Sequence, residues 1–450
     1  MARALPIYTR DDYGYPPPAD ARKKVRNTTV RFSKKILLAG IYLIMSIFGI
    51  LLRSQHRGEK RLPLNPQYFQ PTRILIIRMD LIGDLVLSLP IVRILKRTYP
   101  EAEIDILALP SSAKVIASDP DVHTIIPYDP NIWRRPKSLL RPGNWQTARL
   151  LYRQLHAQNY DLAVSVFGPW AAILAVFSGA KRRLGYGKES YPGLMTDDVA
   201  GQHWKAHDHL HEVDYCVQLA RAAGATIQPA DRVPTLYVGS QAQQEVEMLL
   251  HNEGIADATT LIVCHVSANN GQSKRWPIPY WAMLIDRLML EADATVLFTG
   301  APEDQPLIAA ITARMHEKAI NLAGKTSLTQ LAALLQRVDL LLTGDSGPMH
   351  IAGAVKTDLI AIHGPTDPRL SGPVSPQATI LRDTIWCSPC YKAKGAPADC
   401  RFYTTQCMKN VSPDQVFITV QNKLQQQHVL PLIVKPTRSG EGLSHEQNLS

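Results

Sequence analysis

The sequence predicts an α/β protein of two doubly wound domains whose parallel sheets face each other across a cleft. Three observations carry that prediction. The chain has 450 residues, too many for one compact core and enough for two domains of roughly 150 to 200 residues with extensions. Short apolar runs alternate with amphipathic stretches, the pattern of parallel strands joined by helices. The pattern then halts at a proline-bearing connection and begins again.

Residues 73–79, 103–107, 124–126 and 161–167 read as buried strands of the first half, with helices over 83–97, 147–157 and 171–178. Residues 227–239, with Pro229 and Pro234, read as the connection. The second half repeats the pattern with strands over 260–265, 294–299, 339–343 and 358–363, and helices near 279–291, 303–316, 328–336 and 348–355. The expected domains are 72–235 and 240–425, followed by a polar tail over 426–450 that has too little apolar content to fold alone.

Ahead of them lie a basic polar segment (1–35), an apolar run (36–52) and a proline-bearing linker (53–71). The formal charge of +10 is concentrated here: residues 1–61 hold thirteen Lys or Arg against four acids, so the other 389 residues are nearly neutral. That distribution argues against nucleic acid as a partner. The run from Ile36 to Leu52 is seventeen uncharged residues, apolar on every side, so it suits insertion into hydrocarbon better than lying flat on a membrane. Its length is the short end of what spans a bilayer. About 35 residues precede it and no small-x-small site follows, which argues against a cleaved signal peptide. The alternative is a buried core helix; the cationic flanks favour attachment to anionic lipid. Cations on both sides leave spanning and dipping both open.

In doubly wound sheets ligands bind beyond the carboxyl ends of the strands, so the loops there are read first. After the first strand comes Arg78-Met79-Asp80-Leu81-Ile82-Gly83-Asp84, which puts Asp84 at a helix start. A carboxylate there can be an N-cap, worth about 1 kcal/mol, or a general base. Both readings stand on spacing alone. In the second half the turn Gly344-Asp345-Ser346-Gly347-Pro348 leads into a helix whose first N–H groups would point at an anion. A serine-hydrolase reading of that turn is weak, because a nucleophile elbow needs glycine where Pro348 stands. A nicotinamide dehydrogenase lacks support too: Gly185-Tyr186-Gly187 runs into Ser190 rather than a third glycine. Asp119-Pro120-Asp121 has metal-binding spacing but lies in a proline turn. Cys387, Cys390, Cys400 and Cys407 could hold a structural Zn²⁺ as four thiolates, or remain thiols, or form a disulfide. Cys216 and Cys264 stand apart and read as buried core thiols.

The segment Arg73 to Pro90, the segment Lys274-Arg275-Trp276-Pro277, and the pair Gly344 to His350 and His363-Gly364-Pro365-Thr366-Asp367-Pro368 together resemble glycosyltransferase family 9, the heptosyltransferases of bacterial surface glycolipids. The resemblance covers roughly residues 72 to 425. It implies a GT-B fold, two Rossmann-like domains facing across a cleft, here with an N-terminal membrane-associated extension. It also implies inverting, metal-independent sugar transfer without a cofactor. The first domain would take the acceptor and supply Asp84 as general base. The second would bind the nucleotide sugar, with Lys274 and the helix start at Ser346, Gly347 and Met349 on the diphosphate. Asp345 would bind donor sugar hydroxyls with His350 and Thr366 nearby, and Glu303 the ribose. Outside the family these would read as a turn carboxylate, a satisfied helix histidine, a helix cap and a solvated loop lysine. The implied partners are ADP-heptose, a lipopolysaccharide-like acceptor and the anionic cytoplasmic face of the bacterial inner membrane, where nucleotide sugar is available. An inactive GT-B binding protein is the alternative function.

Overall fold

The computed structural model describes residues 49, 63–133, 136–200, 210–255, 260–268, 272–390, 400, 402 and 404–429. The first half contains β1 (Arg73–Arg78), α1 (Ile82–Thr98), β2 (Glu103–Ala108), β3 (Thr124–Pro127), α2 (Pro142–Ala157), β4 (Leu162–Ser165), α3 (Gly168–Phe177), β5 (Arg182–Gly185), β6 (Asp197–Asp198) and α4 (Glu212–Ala222). Its strands pair in the order β3-β2-β1-β4-β5-β6, all parallel. The second half contains α5 (Ser240–Asn252), β7 (Thr260–His265), α6 (Ile278–Glu291), β8 (Ala294–Thr299), α7 (Gln305–Thr312), β9 (Ile320–Asn321), α8 (Leu328–Arg337), β10 (Leu340–Gly344), α9 (Gly347–Ala354), β11 (Asp358–His363), β12 (Ala378–Arg382) and α10 (Pro413–Val429). Its order is β12-β11-β10-β7-β8-β9, again all parallel. Each sheet therefore has its order reversal between the first and fourth strands, at β1/β4 and at β7/β10.

The central strands are continuous apolar runs because helices cover both faces. Leu75 and Ile77 of β1 pack under α2 and α3, while Ile74 and Ile76 face α1 and α4. The core on that second face does not stop at the first half. One apolar cluster joins Leu89 and Val92 of α1 and Leu219 of α4 to Val246 of α5, Leu334 of α8 and Met349 and Ile351 of α9. The two halves thus share a core beside the cleft.

Helix α2 begins at Pro142, earlier than residue 147. Proline at the first helical position is favourable, although Pro142-Gly143-Asn144 reads as a turn. Helix α7 is shorter than expected and α10 runs to Val429, past residue 425. Of the apolar run 36–52, only Gly49 lies among the described residues; it is helical and buried, and an added Cβ there would strike the Pro192 carbonyl oxygen. Among the described residues no helix is long and apolar enough to cross a membrane.

Candidate active site

The strand β1 ends on a charged residue that the core encloses. Arg78 is 1% exposed, and its guanidinium meets three carboxylates. Nε lies 3.0 Å from Asp80 Oδ2, while Nη2 lies 2.8 Å from Glu212 Oε1 and 3.7 Å from Asp84 Oδ1. The ring of Phe167 lies 5.7 Å from its centre. Burial works against the charge on Arg78; Asp80, Glu212 and Asp84 outweigh it and hold the guanidinium protonated well above its ordinary range.

Asp84 is the third residue of α1, not its N-cap. Leu81 caps the helix without a side-chain bond, and its backbone N–H favours the ionised form of the Asp84 carboxyl. Confinement in the cleft pushes the Asp84 carboxyl up. Arg78 pulls it down, and the negative Asp80 and Glu212 push it up again, to about 7. Its side chain still keeps 40% of its surface exposed, so the group is confined yet reachable. A carboxylate poised near neutral pH and open on one side is suited to accept a proton.

Across the cleft, β10 delivers Gly344 and Asp345 to the start of α9. Lys274, after β7, places Nζ 2.7 Å from Asp345 Oδ2, with both side chains 11% exposed. Burial pushes the Asp345 carboxyl up, but Lys274 and His363 pull it below the usual carboxylate range. Thr343 Oγ1 and Ser346 Oγ lie 2.9 Å apart. The helix start is less open than the sequence suggests, because Pro348 has no N–H and the Met349 N–H turns back to the Ser346 carbonyl at 3.2 Å. Gly347 keeps its N–H at the first helical position.

The two helix starts touch. A Cβ on Gly83 would come within 2.6 Å of His350 Cδ2, and one on Gly347 within 3.7 Å of Ile82 Cβ. His350 is buried, and burial lowers its pKa to about 4, so it is neutral at this junction. We predict that Gly83→Ala, at a helical φ that alanine adopts freely, costs about 1 to 3 kcal/mol through overpacking against the His350 ring. Combining it with His350→Ala should recover most of that loss in a thermal melt. An uncompensated double variant would show that the junction is not what Gly83 serves.

The remaining expected residues are placed as follows. Thr366 is buried and its Oγ1 lies 3.3 Å from His363 Nδ1. Glu303 is exposed after β8, while its neighbour Asp304 turns inward and accepts the Ala301 N–H at 2.8 Å. Asp119 and Asp121 are both ion-paired with the Arg93 guanidinium, which occupies their carboxylates. Cys387, Cys390, Cys400 and Cys407 line one small pocket with Pro365 and Phe402, and none of the four is in a disulfide. Among the described residues no group of three or more His, Cys, Asp or Glu side chains is placed to hold a metal ion. Burial pushes Cys407 up to about 12, and the neighbouring sulfurs add to that.

Sequence reading missed Arg78, Glu212 and His211. His211 caps α4 by accepting the Val213 N–H and reaches the other half through Nε2, 3.1 Å from the Gly372 carbonyl oxygen. Arg78 carries one signal, a cation ending an apolar strand. Glu212 carries none, being 134 residues away in sequence.

Two facing parallel sheets, one presenting a helix-start carboxylate and the other a lysine–aspartate pair beside a helix start, define a GT-B glycosyltransferase. The family model "Glycosyltransferase family 9 (heptosyltransferase)" matches residues 148–398. The chain is 31% identical over 321 residues to lipooligosaccharide heptosyltransferase 2 of Haemophilus influenzae, covering 69% of this chain and 88% of that one. Among solved structures it resembles the ADP-heptose lps heptosyltransferase II of Escherichia coli, with a TM-score of 0.63, 24% identity and coverage of 79% of this chain and 100% of that one. A family 9 glycosyltransferase of Veillonella parvula gives a TM-score of 0.65 at 20% identity, covering 79% and 97%. The chain belongs to glycosyltransferase family 9.

Proposed function

We propose that this enzyme transfers heptose from ADP-heptose to a lipopolysaccharide-core acceptor, with inversion and without a metal ion, at the cytoplasmic face of the inner membrane. The observation that carries the reading is Asp84, a carboxylate with its pKa raised to about 7, set on the helix that abuts the Lys274–Asp345 side of the cleft. Asp84 takes the proton of the acceptor hydroxyl as that oxygen attacks the anomeric carbon. The glycosidic bond to the diphosphate breaks on the opposite face, which inverts the configuration. Lys274, Ser346 and the Gly347 N–H meet the charge gathering on the leaving diphosphate, a role for preorganised donors, while the Met349 N–H, turned to the Ser346 carbonyl, holds the helix start in shape. Asp345 then binds sugar hydroxyls, with His350 and Thr366 behind it and Glu303 at the ribose. The names of the relatives in Haemophilus influenzae and Escherichia coli support the donor and acceptor. The run 36–52 serves as the anchor.

The test is a panel of nucleotide sugars with core glycolipid as acceptor, following nucleoside diphosphate release and the anomeric configuration of the product by NMR. Release from ADP-heptose with an inverted anomer, unaffected by a chelator, is the expected result. A retained anomer or a strict metal requirement would refute the mechanism. Lys274→Ala should weaken both ADP and donor by about 1.5 to 3 kcal/mol, the range for a charge-assisted hydrogen bond, and adenosine far less. Equal loss for all three in calorimetric titrations would remove Lys274 from the phosphates.

A further inference from the structure

We propose that the outer face of α2, with the turn that precedes it, is a second membrane-docking surface that seats the catalytic domain on an anionic lipid bilayer.

Four observations lead there. First, large apolar side chains stand in solvent: Leu140 is 82% exposed, Leu150 58%, Trp145 56% and Leu139 54%. Single exposed leucines are ordinary, but a cluster within twelve residues, on a helix and the turn before it, marks an interaction site. Second, residues 130–160 contain Arg134, Arg135, Lys137, Arg141, Arg149 and Arg153 and no Asp or Glu, in a region (62–450) that is nearly neutral overall. Third, at 3.6 residues per turn Trp145, Arg149 and Tyr152 fall within about 60° around the helix, turned away from the buried Leu151 and Leu155. Arg153 and Leu150 widen the strip. Fourth, the exposed rings are braced. Trp145 stacks edge-to-face on Trp133 at 5.1 Å and donates its indole N–H to the Leu139 carbonyl at 2.8 Å, while Tyr152 packs on Phe177 at 5.1 Å.

Mixed aromatic, aliphatic and arginine side chains on one polar-capped face are what the headgroup boundary accepts: rings and leucines enter the acyl edge and guanidiniums meet lipid phosphates. Charge selects this occupant over the others. A second copy of the same face would oppose cation to cation. The run 36–52 has no charge to answer the arginines. Position fits as well. All strands of the first sheet are parallel, so the start of α2, like the start of α1 with Asp84, lies at their carboxyl end. Helix α2 packs on the sheet face opposite α1, away from the second half. Docking there lays the rim of the acceptor side on the bilayer and leaves the nucleotide side in water.

The experiment is backbone hydrogen exchange on the full chain, with vesicles of phosphatidylethanolamine and phosphatidylglycerol or of neutral phosphatidylcholine. Exchange across residues 136–157 should slow at least fivefold with the anionic vesicles and stay unchanged with the neutral ones. The variant Leu140→Glu/Arg149→Glu/Leu150→Glu should lose that protection while its melting temperature and its turnover of a soluble acceptor analogue stay unchanged. No protection, protection confined to residues 36–52, equal protection by both vesicles, or protection retained in the variant would each overturn the proposal. So would lost turnover of the soluble analogue, which would assign the surface to the acceptor. The vesicle readout does not depend on which sugar is transferred, so it can fail while the proposed reaction stands.

Discussion

Asp84→Asn is expected to lower kcat by about 10²-fold or more and to leave ADP affinity nearly unchanged, the size of effect for removing a general base that does not touch the donor. The pH profile should carry the signature. Because burial and the neighbouring acids raise the Asp84 pKa to about 7, the native enzyme is short of base below neutrality. Its kcat/KM should fall tenfold per pH unit there and level off above, and the variant should show no such limb. Stability should move the opposite way. A carboxyl whose folded pKa exceeds its unfolded value binds its proton more tightly in the fold. Its ionisation therefore weakens the fold as pH rises from about 4 to about 7. At pH 8 the asparagine variant should melt no lower than the native protein. A variant that keeps full kcat, or one that melts markedly lower, would return Asp84 to a purely structural role.

The largest stability effect is expected from Arg78→Met, a loss of about 3 to 5 kcal/mol, because it leaves buried Glu212 charged without its partner. Arg78→Met with Glu212→Leu should recover most of that loss, since it is the orphaned charge rather than the missing bond that is costly. Urea unfolding of both singles and the double measures the coupling. Strictly additive losses would mean that Arg78 and Glu212 do not act as a pair. The double variant should also push the Asp84 pKa further up, because the cation that pulls it down outweighs the Glu212 charge that is lost with it, while burial and Asp80 remain. The pH limb of kcat/KM would then shift, separating this network from simple folding support.

How much of this was legible follows from what each element owes to local sequence. Strands such as 260–265 and 358–363 coincide with β7 and β11 because a fully buried parallel strand is a continuous apolar run. Three of the four sheet edges were not legible; only β3, read as 124–126, was. β6 and β9 have two residues each, Asp197–Asp198 and Ile320–Asn321, and carry no period of their own. β12 lies at an edge and buries only Leu381 instead of running apolar. Helix α5 has only Ala242, Val246 and Leu250 on its inner face, spaced for a helix but set among Gln and Glu beside the connection. At the site, Asp84, Lys274, Asp345 and His350 follow strands, where reading strand ends finds them. Glu212 could not be found so, because its meaning lies in Arg78, a contact made by folding rather than by sequence spacing.

The matched strand orders of the two sheets have a consequence for the direction of charge flow. β1 and β7 occupy the same place in their sheets, and so do the loops that follow them, yet one loop leads to Asp84 amid Asp80 and Glu212 and the other to Lys274. A single architectural plan, used twice, carries opposite polarity at equivalent points. On the roles proposed above, the proton leaving the acceptor travels toward the acidic loop while negative charge accumulates toward the cationic one.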